Sequence, residues 1–214
     1  MSSSCLQSVK ITETYLPYTK RELDIFSIIL SMIKDGTYEY KLNVKELLVM
    51  MDMRDSNYLS IVNSLDGLSK KGISFRFDME LNTRHSIIRV IDYIDYNNDR
   101  PGIYDTFTIS LSSGIIPYLL DKGSYTQYDL NSFLSLNSIY SKRLYTLFSH
   151  YKGTGNGRVI ITKEEMQYLF GVNYMDFSVL MAKKIRPSID EIIDKTDIDS
   201  INIDKVKRGY VFTF

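Results

Sequence analysis

Lysine and arginine side chains in the second half of the chain form the pattern most suited to binding phosphate. From Lys142 to Arg186 the sequence has eight Lys or Arg residues and three Asp or Glu residues, whereas from Pro187 to Asp204 one Lys faces six acids. The whole chain, with 26 basic and 26 acidic residues, has no formal net charge. A basic block beside an acidic one therefore indicates a local contact with nucleic acid, because a chain that bound it by indiscriminate attraction would be basic overall.

The stretch "SIYSKRLYTLFSHYKG" contains the first basic pair of this half. Its apolar residues fall at helical spacing and leave Lys142, and in part Arg143, near the opposite or flanking face of the predicted helix. On a helix that crosses the edge of a DNA duplex, Lys142 would contact phosphate, and Arg143 is a second candidate for that role. The alternative is a solvated face for both or, for Arg143, a structural bridge to an acid. The acid in such a bridge would be Glu164, Glu165 or Asp176.

A later helix, predicted within "NYMDFSVLMAKKIRPSIDEIID", would supply the base contacts. The major groove of B-DNA admits one helix, and the first residues of that helix meet the base edges. Lys183 and Arg186 suit phosphate or guanine, while Asn173 and Ser178 are short polar readers. The alternative is an ordinary solvated helix face. Pro187 removes a backbone donor and should kink or restart this helix.

The final stretch, "SINIDKVKRGYVFTF", predicts two strands around a basic turn. A wing of this kind would reach phosphate or the minor groove with Lys205, Lys207 and Arg208. A plain solubilising charge on a strand edge is the alternative. Two further basic candidates for DNA contact, Arg158 and Lys163, lie earlier, in "RVIITKEEMQYLFGV", on either side of the predicted strand of that stretch.

The elements that would position these residues occur twice along the chain. In the first half Thr19 and Glu22 begin an amphipathic helix, which is followed by a short strand, two more helices and β-branched, aromatic segments. The second half repeats that order, since "SKRLYTLF" matches "TKRELDIF" and "RVIITKEEMQYLFGV" matches "YKLNVKELLVMM". We therefore predict an α+β chain of two tandem winged helix-turn-helix domains related by internal pseudo-duplication. Their predicted bounds are 1–121 and 122–214.

The first predicted domain has thirteen basic against fifteen acidic residues through Leu120, so its DNA contacts should be weaker than those of the second. We expect dimerisation or partner binding to share its role. Its candidate DNA contacts lie at the start and end of the third helix and at the beginning of the sheet. They are Arg54, Asn57, Lys70, Lys71 and Arg76.

Neither a catalytic centre nor a bound cofactor is expected. Cys5 is the only cysteine, and His85 and His150 are far apart, which argues against a Cys/His metal cluster and against the metal site of a nicking enzyme. The stretch "GTGNGR" lacks the Gly-Lys-Ser/Thr of a phosphate loop. The single cysteine, together with the lack of a long apolar run or signal peptide, indicates a cytoplasmic protein without a membrane segment.

Three motifs, "IYSKRLYTLFSHYKG", "ITKEEMQYLFGV" and "LMAKKIRPSIDEI", resemble the signature of the winged-helix plasmid replication initiators that bind repeated origin sequences. The resemblance extends through about Asp194 and covers the first half only in its order of elements. The chain departs from the family pattern at Lys184, where an apolar residue is expected. It also departs in "EIIDKT", where asparagine is commoner after the acidic-Ile pair.

The resemblance implies an initiator that binds repeated double-stranded DNA sites at an origin and recruits host replication proteins, a helicase or an initiator. It further implies a homodimer in one state, repression of the initiator's own promoter, and a bacterial location at the nucleoid or plasmid. A dedicated transcriptional repressor is one alternative. A winged-helix protein-interaction adaptor that does not bind DNA is another.

Overall fold

The computed structural model describes residues 4–33, 37–78, 83–96, 102–119, 125–172 and 176–214, without the side chains of 77, 78, 83 and 84. The chain divides into two compact units. Pro17–Asp121 forms the first unit, and Met1–Leu16 joins Lys122–Phe214 in the second. The predicted domain bounds of 1–121 and 122–214 therefore differ from the structure at the N-terminus.

The secondary structure alternates between helices and strands along the chain. The helices are α1 (Val9–Thr12), α2 (Lys20–Met32), α3 (Val44–Met50), α4 (Tyr58–Lys70), α5 (Ile116–Leu119), α6 (Leu130–Ser135), α7 (Ile139–Gly153), α8 (Lys163–Phe170), α9 (Phe177–Leu180) and α10 (Arg186–Lys195). The strands are β1 (Ser4–Ser8), β2 (Glu39–Asn43), β3 (Gly72–Asp78), β4 (Thr83–Arg89), β5 (Ile91–Asp95), β6 (Thr106–Leu111), β7 (Tyr125–Asp129), β8 (Arg158–Thr162), β9 (Asn202–Val206) and β10 (Gly209–Thr213). A 3-10 turn (Asp55–Asn57) precedes α4, and a π-helical segment (Met181–Ile185) joins α9 to α10. None of the described helices is both long and apolar enough to cross a membrane.

The first unit is built around α2 and α4, which pack against each other. Thr19 and Glu22 close a capping box at the start of α2, as the sequence predicts. α4 also packs on β5, an edge strand of the antiparallel sheet of order β2-β6-β5. β3 and β4 form a separate hairpin in which Gly72 lies opposite Arg89. Helices followed by such a hairpin have the order of a winged helix.

The second unit contains the N-terminal residues because β1 pairs with β7. The register of this antiparallel pair places Ser4 opposite Asp129 and Ser8 opposite Tyr125. α7 lies at the centre of the unit, and every residue from 141 to 149 is buried. The remaining sheet is antiparallel with the order β8-β10-β9, and β9 and β10 form the wing.

The third helix of the second unit follows a different course from the predicted one. Asp176 caps it, so that it begins at Phe177, and the predicted reader Asn173 lies outside the described residues. The π-helical segment ends before Arg186, and Pro187 occupies the first turn of α10, where a missing backbone donor costs little. The backbone stays helical through Ile185 and Arg186, so the predicted kink or restart at Pro187 stays a prediction, and a widened π-helical turn precedes the proline.

One carboxylate anchors α10 to the start of α7. Glu191 accepts the backbone N–H groups of Asn137 and Ser138 at 2.6 and 3.2 Å and the Ser141 hydroxyl at 2.5 Å. These contacts satisfy donors that a helix N-terminus leaves unpaired. With the third helix so fixed, the second unit also has the winged-helix order. The predicted α+β architecture of tandem winged helices is therefore confirmed.

Candidate nucleic-acid interface

Five of the predicted DNA contacts line one open cleft of about 610 Å³ in the second unit, which we call the wing cleft. They are Lys163, Ser178, Lys205, Lys207 and Arg208. All five side chains are exposed, and the four cations among them have no ion-pair partner within the described part of the chain. Glu164 contributes one carboxylate to the same lining. The cleft thus presents unpaired positive charge to solvent, as contact with a phosphate backbone requires.

Two backbone contacts hold the turn of the wing against the start of α8. The N–H of Lys163 donates to the carbonyl of Arg208 at 3.3 Å. Gly209 lies so close to β8 that an added Cβ would be 2.2 Å from the Ile161 carbonyl oxygen. Thr162 and Glu165 form a capping box that fixes the first turn of α8. Lys163 at the start of α8 and the basic turn of the wing, which are distant in sequence, are therefore held side by side.

Ser178 enters the wing cleft from the first turn of α9. Its hydroxyl donates to Asp176, whose carboxylate also accepts the N–H groups of Ser178 and Val179 at 2.8 and 3.2 Å. The bond from the Ser178 hydroxyl, those backbone bonds and the charge of Lys163 hold the pKa of Asp176 below its usual range. Because the proton of Ser178 is directed at Asp176, its lone pairs suit an amino group of adenine or cytosine.

An aromatic pair joins the third helix to the wing inside this cleft. The rings of Phe177 and Tyr210 lie 5.7 Å apart, and both residues line the cleft. The sequence pattern assigns Phe177 to the core and does not single out Tyr210. The alternation of β10 alone would not identify Tyr210, because its partner lies on a helix more than thirty residues earlier. The wing is thus oriented by packing as well as by its turn.

The other predicted contacts of the second unit lie outside the wing cleft. Lys183 is exposed on the π-helical segment and lines a separate groove with Lys184 and the start of α7. Arg186 is exposed in the first turn of α10, and Arg158 is exposed at the start of β8. None of the three has an ion-pair partner among the described residues. The third helix therefore carries two cations outside the wing cleft, Lys183 in the π-helical segment and Arg186 directly after it.

The prediction that Lys142 contacts phosphate is wrong for this structure. Its side chain is fully buried, with 0% exposure, and its ammonium donates to the carbonyl of Phe133 and, at 3.5 Å, to that of Leu134. The same ammonium lies 4.4 Å from the centre of the Phe133 ring. These carbonyls belong to the last turn of α6, where free carbonyls and the helix dipole favour a cation.

The predictions for Arg143 are wrong for the same reason. This side chain is 4% exposed, and its guanidinium donates to the carbonyls of Thr12, at 2.9 Å, and Thr14. It therefore bridges to the N-terminal residues and not to Glu164, Glu165 or Asp176. Burial lowers the pKa of Arg143 to about 10, which still leaves it charged at neutral pH.

The candidates of the first unit lie in a mixed charge environment. Arg54, just before the 3-10 turn, and Asn57, its last residue, are exposed, and Arg76 is exposed on β3. Lys70 pairs with Asp66 at 2.7 Å. Lys71 pairs at 2.6 Å with Glu22, which is only 4% exposed, so Lys71 completes the capping region of α2. Further ion pairs of this unit join Lys45 to Asp55 and Lys20 to Asp24.

Among the described residues, no group of three or more His, Cys, Asp or Glu side chains is arranged to hold a metal ion. The geometry that stands out is instead a pair of winged helices with a cationic cleft on the second. Its parts are a wing, the start of a third helix and the N-terminus of the short helix before it. These are the parts that meet a duplex in helix-turn-helix proteins.

Comparison with known proteins gives two family matches that together cover most of the chain. The family model described as "Initiator Replication protein, WH1" matches residues 5–149, and that described as "Initiator Rep protein, WH2" matches residues 162–213. A search of curated protein sequences finds no significant match.

Solved structures show a similar fold. The chain is similar to the Pi initiator protein in its crystal structure with iteron DNA, with 18% sequence identity, a TM-score of 0.78, and coverage of 99% of this chain and 95% of that chain. It is also similar to the crystal structure of domains 2 and 3 of RctB, with 10% identity, a TM-score of 0.55, and coverage of 91% and 81%.

Proposed function

The chain belongs to the family of initiator replication proteins with WH1 and WH2 domains, and from that premise we propose that it is a plasmid replication initiator that binds repeated double-stranded DNA sites, iterons, at its origin. Proteins of this family act by binding DNA and not by catalysis. The observation that carries the proposal is the wing cleft, which collects four unpaired cations and a polar side chain at one winged helix.

In this proposal the second unit is the main reader of the iteron. Ser178 and the residues around it would meet base edges in the major groove, since the first residues of a recognition helix lie there. Lys205, Lys207 and Arg208 would hold the flanking phosphates or the minor groove, and Lys183 and Arg186 would contact phosphate or guanine further along. A contact of this kind supports specific binding by a chain without net charge.

The first unit would have a supporting role. Its exposed Arg54 and Asn57 suit a secondary DNA contact, while its ion-paired lysines leave less free charge than the wing cleft has. We include in the proposal a homodimer formed through this unit in one state, repression of the promoter by that dimer, and recruitment of a host helicase or initiator. The family resemblance supports these functions.

The experiment that tests DNA reading is a binding series with duplex that carries the repeats flanking the gene, against scrambled duplex, over a range of salt. Two double variants are compared with wild type: Lys205→Glu/Lys207→Glu in the wing cleft and Lys183→Glu/Arg186→Glu on the third helix. We expect each to lose more than about tenfold in affinity, and the salt slope to fall by about 1 for each phosphate contact removed. Lys41→Glu, an exposed site on β2, controls for the change of charge.

Equal binding of repeats and scrambled duplex by wild type would contradict the proposal. So would double variants that bind as Lys41→Glu does, and the tandem winged helices would then be studied as a protein-interaction adaptor. To separate an initiator from a dedicated repressor, the gene is placed with its neighbouring repeats on a fragment that has no other origin. Maintenance of that fragment as a plasmid is expected only of an initiator.

A further inference from the structure

A second groove in the unit that contains the wing cleft has the opposite charge. It measures about 260 Å³ and shares no lining residue with that cleft. Its floor is apolar and buried, with Leu147 from α7 and Leu169 from α8. Two carboxylates, Glu13 and Glu165, stand exposed at its margin. We call it the acidic groove.

The acidic groove runs along a free strand edge. Three consecutive residues of β8, Val159, Ile160 and Ile161, line the groove. Because successive side chains of a strand point to opposite faces of the sheet, a groove can contact all three only along the edge of the strand. β8 pairs with β10 on its other side, and no strand of the described chain pairs with this edge. Ile160 is 57% exposed beside it. A free edge with an exposed apolar side chain is a template for pairing with another chain.

Within the described residues His150 acts on Glu13, but no lysine or arginine balances the charge of the groove. Neither Glu13 nor Glu165 has a lysine or arginine partner there. Desolvation of Glu13 and the nearby Glu165 carboxylate raise the pKa of Glu13, although His150 acts in the opposite direction. Two carboxylates that interact in this way repel DNA phosphate and attract a cation. The charge of this groove therefore favours a basic partner over nucleic acid.

We propose that the acidic groove docks an extended, basic segment of a partner protein, which adds a strand to the free edge of β8. Main-chain hydrogen bonds to β8 would supply affinity, and alternate side chains would supply specificity. Apolar side chains of the segment would cover Ile160 and the floor, while Lys or Arg would meet Glu13 and Glu165. The acidic groove would then be the place where this chain recruits a partner. Partner recruitment is part of the proposed function, and in that respect the inference rests on the proposed function.

The probe is a fluorescein-labelled peptide of alternating Lys and Val, seven residues long, measured with the full-length chain by fluorescence anisotropy. Its counterpart has Glu in place of Lys. We expect the Lys peptide to bind at least about tenfold more tightly, with a preference that weakens as salt is added. Glu13→Gln and Glu165→Gln should each weaken binding of the Lys peptide at least about threefold. Glutamine at 165 can still accept the backbone N–H of Thr162, so the capping box is kept.

Glu164→Gln is the matched control, because it removes an exposed carboxylate from the adjacent position of α8 that lines the wing cleft instead. It should leave binding of the Lys peptide unchanged. Lys peptide methylated at alternate backbone nitrogens tests strand addition, and we expect at least about a tenfold loss because a ladder donor is missing at each site. Equal affinities for the Lys and Glu peptides, equal effects of Glu164→Gln and Glu165→Gln, or full binding of the methylated peptide would each overturn the proposal.

The same variants are tested for binding to the repeat duplex. Glu13→Gln and Glu165→Gln should bind the duplex as wild type does. Intact duplex binding without peptide binding overturns the docking proposal alone. Peptide binding by a wild type that fails to distinguish repeats from scrambled duplex overturns the proposed DNA function alone.

Discussion

Lys142 and Arg143, whose residue types alone suggest DNA binding, are instead buried in the second unit and hydrogen-bonded to its backbone. Taking a lysine out of water costs several kcal/mol unless its donors are satisfied. For Lys142 the carbonyls at the end of α6 and the face of the Phe133 ring provide that compensation. Arg143 obtains part of it from two carbonyls of the N-terminal residues, both of which accept from one Nη atom, while its Nε has no partner among the described residues. Neither charge is available to phosphate.

Lys142→Met separates the structural role from a DNA contact. Methionine has a similar length but leaves the carbonyls of Phe133 and Leu134 without their donor, so we expect a loss of about 1–3 kcal/mol in the free energy of unfolding. Urea unfolding measures this loss. Affinity for the repeat duplex and its salt slope should stay unchanged in the folded variant. A slope that falls by about 1 would instead restore Lys142 as a phosphate contact.

Periodicity in one sequence could predict that a helix contains Lys142 and which side of it is apolar. It could not predict that α7 is enclosed on the other sides as well. That enclosure depends on α1, β7 and α10, which come from distant parts of the chain. By contrast, Lys207 and Arg208 were predictable as exposed, because a turn between two short strands keeps its side chains in solvent, and Lys205 is exposed on β9 next to that turn.

At the scale of elements, the wing depends on the close approach of its turn to β8. An added Cβ at Gly209 would lie 2.2 Å from the Ile161 carbonyl oxygen and 2.8 Å from the Thr162 Cα, both of which are backbone atoms that cannot rotate away. Gly209 therefore keeps the basic turn beside Lys163. The sequence indicated a glycine in a turn, but the need for it comes from contact with a strand forty or more residues earlier.

Gly209→Ala should separate the wing from the start of α8. We expect a loss of about 1–3 kcal/mol in the free energy of unfolding, as for other overpacked sites, together with weaker binding to the repeat duplex. Gly153→Ala is the control, because an added Cβ at that helical position has no atom within 4 Å. It should be neutral or stabilise the chain by up to about 1 kcal/mol. Equal thermal stability of the two variants would show that β8 shifts enough to accommodate the alanine at position 209.

The third helix shows how far local signals reach. Pro187 predicts a kink or restart of the helix, and the segment just before it is π-helical while the backbone stays helical. The π-helical turn that precedes it was not predictable from spacing, since α and π turns differ by one residue and the apolar stripe fits both. Asp176 as the N-cap was also missed, although Asp is a favoured residue at that position. The sequence placed the start of the helix earlier.

At the scale of the whole molecule, the two units do not follow each other along the chain. The duplicated order of helices and strands predicted tandem winged helices, and that part is confirmed. The pairing of β1 with β7 spans more than a hundred residues and has no local signal. A five-residue strand gives no local indication of which sheet it joins, and for this reason the predicted bounds differ from the two compact units at residues 1–16.

The thiol of Cys5 allows the pairing of β1 with β7 to be tested through the pH dependence of the free energy of unfolding. Cys5 lies in β1 with 0% exposure, and burial raises the pKa of its thiol from 9.0 to about 12, against a hydrogen bond with Tyr128 that lowers it. Above about pH 9 the unfolded chain therefore loses a proton that the folded chain retains. The free energy of unfolding should fall as pH rises, by up to about 1.4 kcal/mol per pH unit from this group.

The measurement compares urea unfolding of wild type and Cys5→Ala between about pH 8 and 10, below the range in which the lowered pKa of Arg143 acts in the opposite sense. The alanine variant is expected to be less stable at every pH because of the cavity, but to lose less stability as the pH rises. Buried Tyr18 and Tyr145, whose pKa values are also raised, affect both proteins alike. Parallel curves would contradict the burial of Cys5 in the folded chain.

The discontinuous second unit also sets an order of events on the ribosome. β1 is synthesised before the first unit, yet its partner β7 emerges only after the whole of that unit, which is contiguous and able to fold meanwhile. Until then β1 is an unpaired edge. A nascent chain that stalls before β7 would carry a finished first unit and none of the basic cleft. The cleft is therefore completed only after the first unit and β7 have been synthesised.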